Sequence, residues 1–234
     1  MELPDSLPAQ LYLLTYNPES ERMAGRHRSG YLGPGLRAAA VLELERRGRV
    51  AVADGKVVPV APERRPAVAA GPGVAMLPDD PILTRVLDQI EGSGRHRSLR
   101  HWIAKDNRVT TRCARDYLEA GRWLRVDRYR VIGLIPRTSV TVRDTRLVRK
   151  LIGDVRQTLV GAAPAARVAD RDRQLAALGV LAEMGVLFSR RERRAHRDRA
   201  RELVADLGPV GEALRKVVRD QKADAAAAAA TSGG

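Results

Sequence analysis

The sequence predicts a mainly α protein that carries two β-hairpins. Apolar residues recur at helical spacing in several segments, as at Leu147, Leu151, Val155 and Leu159. Two short stretches alternate as strands do, and the first of them encloses an Asp54-Gly55 turn. Of the 234 residues, 44% are hydrophobic but only 3% are aromatic. The core is therefore expected to be aliphatic, with more helices than strands.

The first elements are defined by their start and stop signals. Ser6 is placed to cap a short helix that ends at Asn17-Pro18. A second helix begins at Leu36 and ends at Gly48, because glycine readily adopts the conformation that follows a helix. The first hairpin then occupies residues 50–60.

The middle of the chain begins with an irregular segment. Residues 61–78 predict an internal loop or linker, since proline and glycine recur there without a regular polar-apolar period. Asp79-Asp80-Pro81 opens the next helix, and Ser98 caps another. Thr110 or Thr111 is expected to cap a third.

The rest of the chain is predicted to be largely helical. The second hairpin spans residues 123–135, and an amphipathic helix follows at 144–160. Residues 170–188 are apolar on most faces and predict a central buried helix, whereas 189–206 are rich in arginine. The alanine-rich tail, 223–234, is of low complexity and is expected to be disordered.

Charge and cysteine content restrict the functional class. The formal net charge is +14, which points to polyanionic partners such as nucleic acid or an anionic membrane surface. Cys113 is the single cysteine, so no intrachain disulfide forms and a reducing cytoplasm is expected. No signal-peptide pattern and no apolar run long enough to span a bilayer is present, so membrane contact is expected to be peripheral.

No pattern in the sequence predicts catalysis, a metal site or a cofactor. The histidines at 27, 96, 101 and 196 lack zinc-ligand spacing, and a single cysteine does not complete a thiolate site. No nucleophile elbow or Ser-His-Asp arrangement is visible. The protein is therefore expected not to be an enzyme.

DNA binding is an alternative that the residues themselves suggest. Residues 98–132 have the order helix, turn, helix and basic wing of a winged helix-turn-helix, with Arg108, Arg112 and Arg115 available for phosphates. The predicted recognition helix offers Thr111 but no Asn or Gln to contact base edges, which argues against nucleic acid. A protein-interaction scaffold without any ligand is the second alternative.

Six stretches together carry a family resemblance over most of the chain. They are LPAQLYLL, GLRAAAVLELERRGRV, DDPILTRVLDQI, LRHWIAK, RCARDYLEAGRW and ADRDRQLAALGVLAEMGVL. In this order the chain resembles the Golgi phosphoprotein family, and particularly its shorter bacterial members. The resemblance implies one domain over residues 1–222, with a central helical bundle wrapped by amphipathic helices.

The resemblance also implies a function. Members of the family are peripheral membrane adaptors that bind phosphatidylinositol 4-phosphate and retain client enzymes by their cytosolic tails. For this chain it implies a cytoplasmic protein that associates reversibly with the cytoplasmic face of an anionic phospholipid membrane. Cytosolic tails of membrane proteins and a second copy of the chain are the further partners considered.

The lipid-binding residues are carried over from the family by position. Arg37, in GLRA, matches a phosphate-binding arginine, and Arg28 falls where the family has an aromatic residue in the basic loop. Loss of that aromatic leaves the headgroup open, although Tyr31 is available to fill some of the space.

Two further family arginines lie just ahead of the helix that ends YLEAG. Strict alignment places Asn107 and Thr110 there, and nearby Arg108 and Arg112 are the expected substitutes. Arg37 and one of these arginines are therefore predicted to converge on one phosphate.

The second hairpin mixes arginine with apolar residues, as an element at a membrane interface does. The residues predicted to contact the membrane are Trp123, Leu124, Tyr129, Val131 and Ile132. The same mixture also suits an ordinary strand that is half-buried on the core, and this alternative stays open.

Overall fold

The computed structural model describes residues 2–61, 63, 80–131 and 135–231. Most of this part of the chain is helical. The helices are α1 (Leu7–Leu13), α2 (Arg26–Ser29), α3 (Leu32–Arg46), α4 (Pro81–Glu91), α5 (Leu99–Ala104), α6 (Asn107–Ala120), α7 (Thr145–Val160), α8 (Asp170–Leu181), α9 (Arg190–Ala195), α10 (Arg197–Ala205) and α11 (Gly208–Thr231). The predicted mainly α class is confirmed. The predicted loop 61–78 lies outside the described residues except at positions 61 and 63.

Helices α3 and α8 form the centre of the bundle. α3 packs against α1, α4, α5, α6, α8 and α11, and its residues Leu36, Ala39 and Leu44 are fully buried. α8 packs against α1, α3, α7, α10 and α11. Small alanine side chains let neighbouring helices approach α3 on several sides at once. Helices such as α4 and α7 bury one face only, so the expected bundle wrapped by amphipathic helices is confirmed.

Several predicted caps are confirmed by hydrogen bonds. The side chains of Ser6, Asp80 and Ser98 accept from the backbone N–H groups of Ala9 (3.2 Å), Ile82 (2.7 Å) and His101 (3.2 Å), respectively. Each bond satisfies one of the N–H groups that a helix start leaves unpaired. The first turns of α1, α4 and α5 are thus specified locally.

The predicted cap of α6 is wrong. The helix begins at Asn107, and Asp106 precedes it in a left-handed conformation with φ 50°. Thr110 and Thr111 lie inside the helix, where their hydroxyls donate to the carbonyls of Asp106 (3.1 Å) and Asn107 (2.9 Å). A threonine hydroxyl makes this bond within a helix as readily as it caps one, so residue type alone did not locate the start.

The central helix is shorter than predicted. α8 ends at Leu181, because Glu183 takes a left-handed conformation with φ 52°. The N–H of Glu183 donates to the carbonyl of Val180, and that of Met184 donates to the carbonyl of Gly179. This pair of bonds is the Schellman motif, here built on a glutamate instead of the usual glycine. Residues 182–188 form a turn that stays packed on the core.

Three two-stranded antiparallel sheets occur in the described residues, one more than predicted. They pair β1 (Tyr16–Asn17) with β2 (Arg22–Met23), β3 (Val50–Ala53) with β4 (Lys56–Pro59), and β5 (Leu124–Val131) with β6 (Ile135–Val142). β1 and β2 have two residues each, which is too short for a visible alternation. The expected Asp54-Gly55 turn is confirmed, with φ 51° and 70° at its two positions.

The second hairpin is longer than its prediction. β5 alone covers Leu124–Val131, and β6 continues past Pro136 to Val142, with Leu124 opposite Val142. Proline is tolerated here because both strands of a two-stranded sheet are edges, where alternate N–H groups face away from the partner strand.

The alanine-rich tail departs from the expectation of disorder. α11 continues through Thr231, so residues 223–231 are helical although they are exposed. Alanine has the highest intrinsic helix propensity, and the preceding turns of α11, packed on α3, α5 and α8, supply the nucleus from which the helix extends.

Candidate functional site

A cleft of about 880 Å³ lies where the N-terminal ends of α3 and α6 meet. Its walls combine one residue of α1, the loop before α3, the first turn of α3, one face of α6 from its start to Arg115, and one residue of α11. The lining residues are Tyr12, Ser29, Gly30, Tyr31, Leu32, Gly33, Pro34, Asp106, Asn107, Arg108, Val109, Thr111, Arg112, Arg115 and Gln221. Side chains from distant parts of the sequence thus surround one volume.

Gly33 allows the two helix ends to meet. A Cβ atom at Gly33 would lie 2.7 Å from the Cβ of Asn107 and 3.0 Å from its carbonyl oxygen. These distances are shorter than side chains tolerate, so only glycine permits this approach. The first turns of α3 and α6 are therefore in direct backbone contact at the base of the cleft.

The loop before α3 is held in place by the turn that follows α8. Tyr31 N–H donates to the carbonyl of Ala182 (2.7 Å), and Val186 N–H donates to the carbonyl of Arg28 (2.9 Å). Gly30 has φ 60°, and a Cβ there would lie 2.2 Å from the Ala182 carbonyl oxygen. A glycine is thus required at this point, and the wall of the cleft rests on the core.

Both helices direct the positive ends of their dipoles toward the cleft. Neither Tyr31 before α3 nor Asp106 before α6 makes a side-chain capping bond, and neither first turn contains an acidic residue. Uncapped N–H groups at a helix start attract anions. Two such starts in contact make a favourable place for a phosphate.

Arginines of α6 add full positive charge. Arg108, Arg112 and Arg115 follow one another at spacings of four and three residues, which places them on one face of the helix. Arg108 and Arg112 are exposed, and within the described part of the chain no ion pair or hydrogen bond is found for either guanidinium. Arg115 pairs with Asp116 through Nη2 at 2.7 Å. Two guanidinium groups are therefore free to bind an anion.

One carboxylate and two phenols complete the lining. Asp106 is the only acidic residue in the lining set, and its Oδ2 accepts from Gln89 Nε2 at 2.8 Å. Burial raises the pKa of Tyr12 to about 12, against the opposing charge of Arg115. The Tyr12 hydroxyl consequently stays neutral beside the arginines. The cleft as a whole carries net positive charge.

Three of the predicted lipid-binding residues line this cleft, namely Asn107, Arg108 and Arg112. Thr110 does not, because it is 1% exposed and faces the interior. Arg28 is exposed but is outside the lining set, although its backbone anchors the loop. The structure thus brings together three of the four predicted residues of α6.

Arg37 departs from its prediction. The side chain is fully buried, and its Nε and Nη1 donate to the carbonyl of Trp102 (2.8 Å) and to Gln89 Oε1 (2.9 Å). It does not line the cleft, so the expected convergence of Arg37 with Arg108 or Arg112 on one open pocket is corrected. The central position of α3 turns this face of the helix toward α4 and α5 instead of toward solvent.

The predicted membrane residues of the second hairpin divide into two groups. Leu124 is fully buried, and Trp123 packs partly on the core while its Nε1 donates to the Glu2 carbonyl (2.8 Å). These two lie at the base of the hairpin, which corrects their assignment. Tyr129 is 52% exposed on β5. Val131 is the last residue of β5, and Ile132 lies outside the described residues.

Several lining residues had no signal in the sequence. Tyr12, Gly30 and Gln221 come from three separate elements, and only packing brings them together. Arg108 and Arg112 were predicted to bind a lipid phosphate, whereas Arg115 was named only in the DNA-binding alternative. The helical period of these arginines already indicated that the three side chains share one face.

Neither a metal site nor a membrane-spanning helix is present in the described part of the chain. Within 2–61, 63, 80–131 and 135–231, no cluster of three or more His, Cys, Asp or Glu side chains is arranged to hold a metal ion. Over the same residues, no helix combines the length and the apolar composition that crossing a bilayer requires.

Comparison with known families identifies the relationship that the sequence motifs suggested. The profile of the Golgi phosphoprotein 3 (GPP34) family matches residues 7–221, which is most of the chain. The chain belongs to the GPP34 family. A search of curated proteins found no match. Every residue that lines the cleft, from Tyr12 to Gln221, lies within the GPP34 segment.

Proposed function

We propose that this member of the GPP34 family is a peripheral membrane adaptor whose cleft binds the phosphate of an anionic phospholipid headgroup. The observation that carries the proposal is the meeting of two uncapped helix starts beside Arg108 and Arg112, whose guanidinium groups have no partner among the described residues. Arginine binds phosphate through two parallel hydrogen bonds, and helix N–H groups supplement them.

The proposal rests on α6 and not on Arg37. The α6 arginines can reach a ligand in the cleft, whereas the Arg37 guanidinium makes two hydrogen bonds inside the protein. Phosphatidylinositol 4-phosphate is the headgroup that the family suggests, and the shared requirement is a phosphate monoester or diester at a membrane surface.

The remaining positive charge assists the same function. The chain carries a net charge of +14, and α9 presents Arg190, Arg191 and Arg194 as exposed side chains. Each basic residue near an anionic leaflet contributes about 1 kcal/mol of attraction. This long-range electrostatic attraction brings the protein to the membrane, and the cleft supplies the specific contact. The proposed role is non-catalytic, at the cytoplasmic face of a membrane, where cytosolic tails are available as clients.

The geometry favours lipid over DNA. A recognition helix must project to enter a major groove, but the arginine face of α6 lines a concave cleft together with Tyr12 and Tyr31. In the wing, Arg128 pairs with Glu119 (2.9 Å) and Arg125 pairs with Asp127 (3.0 Å). These arginines are already engaged within the protein.

Vesicle flotation tests the proposal. The probe is vesicles of equal parts phosphatidylcholine and phosphatidylglycerol, with pure phosphatidylcholine as the neutral control and phosphatidylinositol 4-phosphate as an added arm. Replacing Arg108 and Arg112 by Gln removes two charge-assisted contacts, so we expect binding to weaken by about tenfold or more. The matched control replaces Arg191 and Arg194 by Gln, which removes the same long-range charge outside the cleft. We expect a smaller loss for this control, and the difference between the two double variants measures the contribution of the cleft.

Two results would refute the proposal. If both double variants lose binding equally, attraction follows total charge and the cleft is not a site. If duplex DNA, and not vesicles, binds in a way that requires Arg108 and Arg112, the regulator alternative is correct.

A further inference from the structure

The buried Arg37 guanidinium begins a chain of hydrogen bonds that ends at the cleft. Its Nε donates to the Trp102 carbonyl in α5 (2.8 Å), and its Nη1 donates to Gln89 Oε1 in α4 (2.9 Å). Gln89 Nε2 then donates to Asp106 Oδ2 (2.8 Å). The chain therefore runs from the middle of α3, through α4, to the residue that precedes α6.

The chemistry of the three groups fixes the direction of the chain. A guanidinium only donates and a carboxylate only accepts, so the amide of Gln89 has to turn its oxygen to Arg37 and its nitrogen to Asp106. Gln89 is half-buried, and its amide is engaged at both ends. An amide bonded in this way has a single orientation, which makes Gln89 a rigid link.

Asp106 is the residue through which this link reaches the cleft. It lines the cleft, and its backbone is left-handed, with φ 50° and ψ 30°, a conformation that is uncommon for residues other than glycine and that Asp adopts more readily than most. Its carbonyl accepts from both the N–H and the hydroxyl of Thr110 (2.9 and 3.1 Å) in the first turn of α6. The orientation of Asp106 thus sets the direction in which α6 begins.

We propose that Arg37 and Gln89 are positioning residues for the cleft: they hold Asp106, and with it the start of α6, so that Arg108 and Arg112 are directed into the cleft. This inference rests on the proposed function of the cleft. Arg37 does not touch the bound anion; it acts through Gln89.

The charge balance of the chain supports this role. Burial lowers the pKa of Arg37 to about 10, while the charge of Asp106 acts to raise it and that of Arg85 to lower it. Arg37 thus remains cationic at neutral pH with Asp106 as the acidic group that compensates it. Within the described residues, Arg37 Nη2 has no hydrogen-bond partner, so the Trp102 carbonyl and Gln89 are the contacts found for this guanidinium.

The test replaces the link and leaves every charge in place. Gln89→Leu breaks both bonds of the amide. We expect the affinity for vesicles of equal parts phosphatidylcholine and phosphatidylglycerol to fall by about threefold to tenfold, because Arg108 and Arg112 are less well directed while both remain charged. The salt dependence of binding should not change, since the number of cationic contacts is the same. Hydrogen exchange of the amides in the first turn of α6 should accelerate. Gln157→Leu, an exposed position on α7, is the matched control and should alter neither measurement.

A second variant keeps the test independent of folding defects. Arg37→Lys keeps the charge but makes the two divergent bonds poorly, so it should reproduce both the affinity loss and the faster exchange of Gln89→Leu. If Arg37 is instead a direct ligand, Gln89→Leu will bind vesicles as the unaltered protein does, and the positioning role is wrong. If neither Gln89→Leu nor the Arg108 and Arg112 double replacement weakens binding, the proposed function itself fails. If the Arg108 and Arg112 double replacement weakens vesicle binding but Gln89→Leu does not, the positioning role is wrong and the proposed function stands.

Discussion

Gly33 and Gly153 offer a pair of Gly→Ala changes whose effects on stability should have opposite signs. Gly33 is the second residue of α3, and its added Cβ would lie 2.7 Å from the Cβ of Asn107. Gly153 lies in the middle of α7 and is exposed, and nothing is found within 4 Å of its added Cβ. The same chemical change thus meets a tight contact in one helix and open space in the other.

The expected magnitudes follow from these distances. At Gly153, alanine gains the full difference in helix propensity, which stabilises the protein by about 1 kcal/mol. At Gly33 that gain is not realised, because the following Pro34 disfavours the helical conformation for a residue with a Cβ. Overpacking against Asn107 then costs about 1–3 kcal/mol. The two variants should therefore differ by about 2–4 kcal/mol in free energy of unfolding.

Urea unfolding followed by circular dichroism and by tryptophan fluorescence measures this difference. Agreement of the two signals and an unchanged dependence on urea would show that the comparison is between two-state transitions. A thermal midpoint should shift by about 2–4 °C per kcal/mol for a chain of this size. Gly33→Ala should also weaken vesicle binding, because the start of α6 has to move. Equal stabilisation by both alanines would refute the contact between α3 and α6 on which the cleft depends.

Three further changes test the core and the tail. Burial alone would raise the pKa of Glu43, but its bond to Arg46 and the charge of Arg171 hold that pKa below the ordinary value. Glu43→Gln should therefore destabilise the protein by about 3 kcal/mol or more. The variant should also lack the stability that the unaltered protein loses as pH falls through this lowered pKa. Burial raises the pKa of Asp80, so the contribution of Asp80 to stability falls as pH rises through that raised pKa. Asp80→Asn keeps a helix cap, so it should become more stable relative to the unaltered protein as pH rises from acid to neutral. A difference in free energy of unfolding that does not change with pH would contradict this. Removing all residues after Lys222 should reduce helical circular dichroism but change the free energy of unfolding by less than about 0.5 kcal/mol, and a larger loss would mean that the exposed tail packs on the body.

The family and the class of fold could be predicted because they depend on local and repetitive signals. Helix starts at Ser6, Asp80 and Ser98 were located by a side chain that bonds to its own first turn. The Asp54-Gly55 turn likewise depends on two adjacent residues that tolerate positive φ. Such signals fail where one residue type can either cap a helix or bond within it. Thr110, near the start of α6, bonds within the helix.

The cleft could be predicted only in part. Arg108 and Arg112 were predicted from the family resemblance, by their position just ahead of the helix end YLEAG. Arg37 was misplaced because a sequence motif records that an arginine is present, but not which face of a central helix is covered by its neighbours. Leu124 and Trp123 were misassigned for the same reason, since a strand that mixes apolar and basic residues is equally suited to a core and to an interface.

The sequence by itself determined the helical class, the caps of α1, α4 and α5, the positive charge and the membership of the GPP34 family, because each depends on residue types or on spacings along one element. Only the tertiary structure decided which arginines face solvent and which groups meet. The contact of Gly33 with Asn107, the turn of Gly30 against Ala182 and the burial of Arg37 beneath α4 and α5 all depend on how separate helices pack. Packing brings residues that are far apart in the chain to within a few ångströms of one another, and no local sequence pattern encodes such contacts.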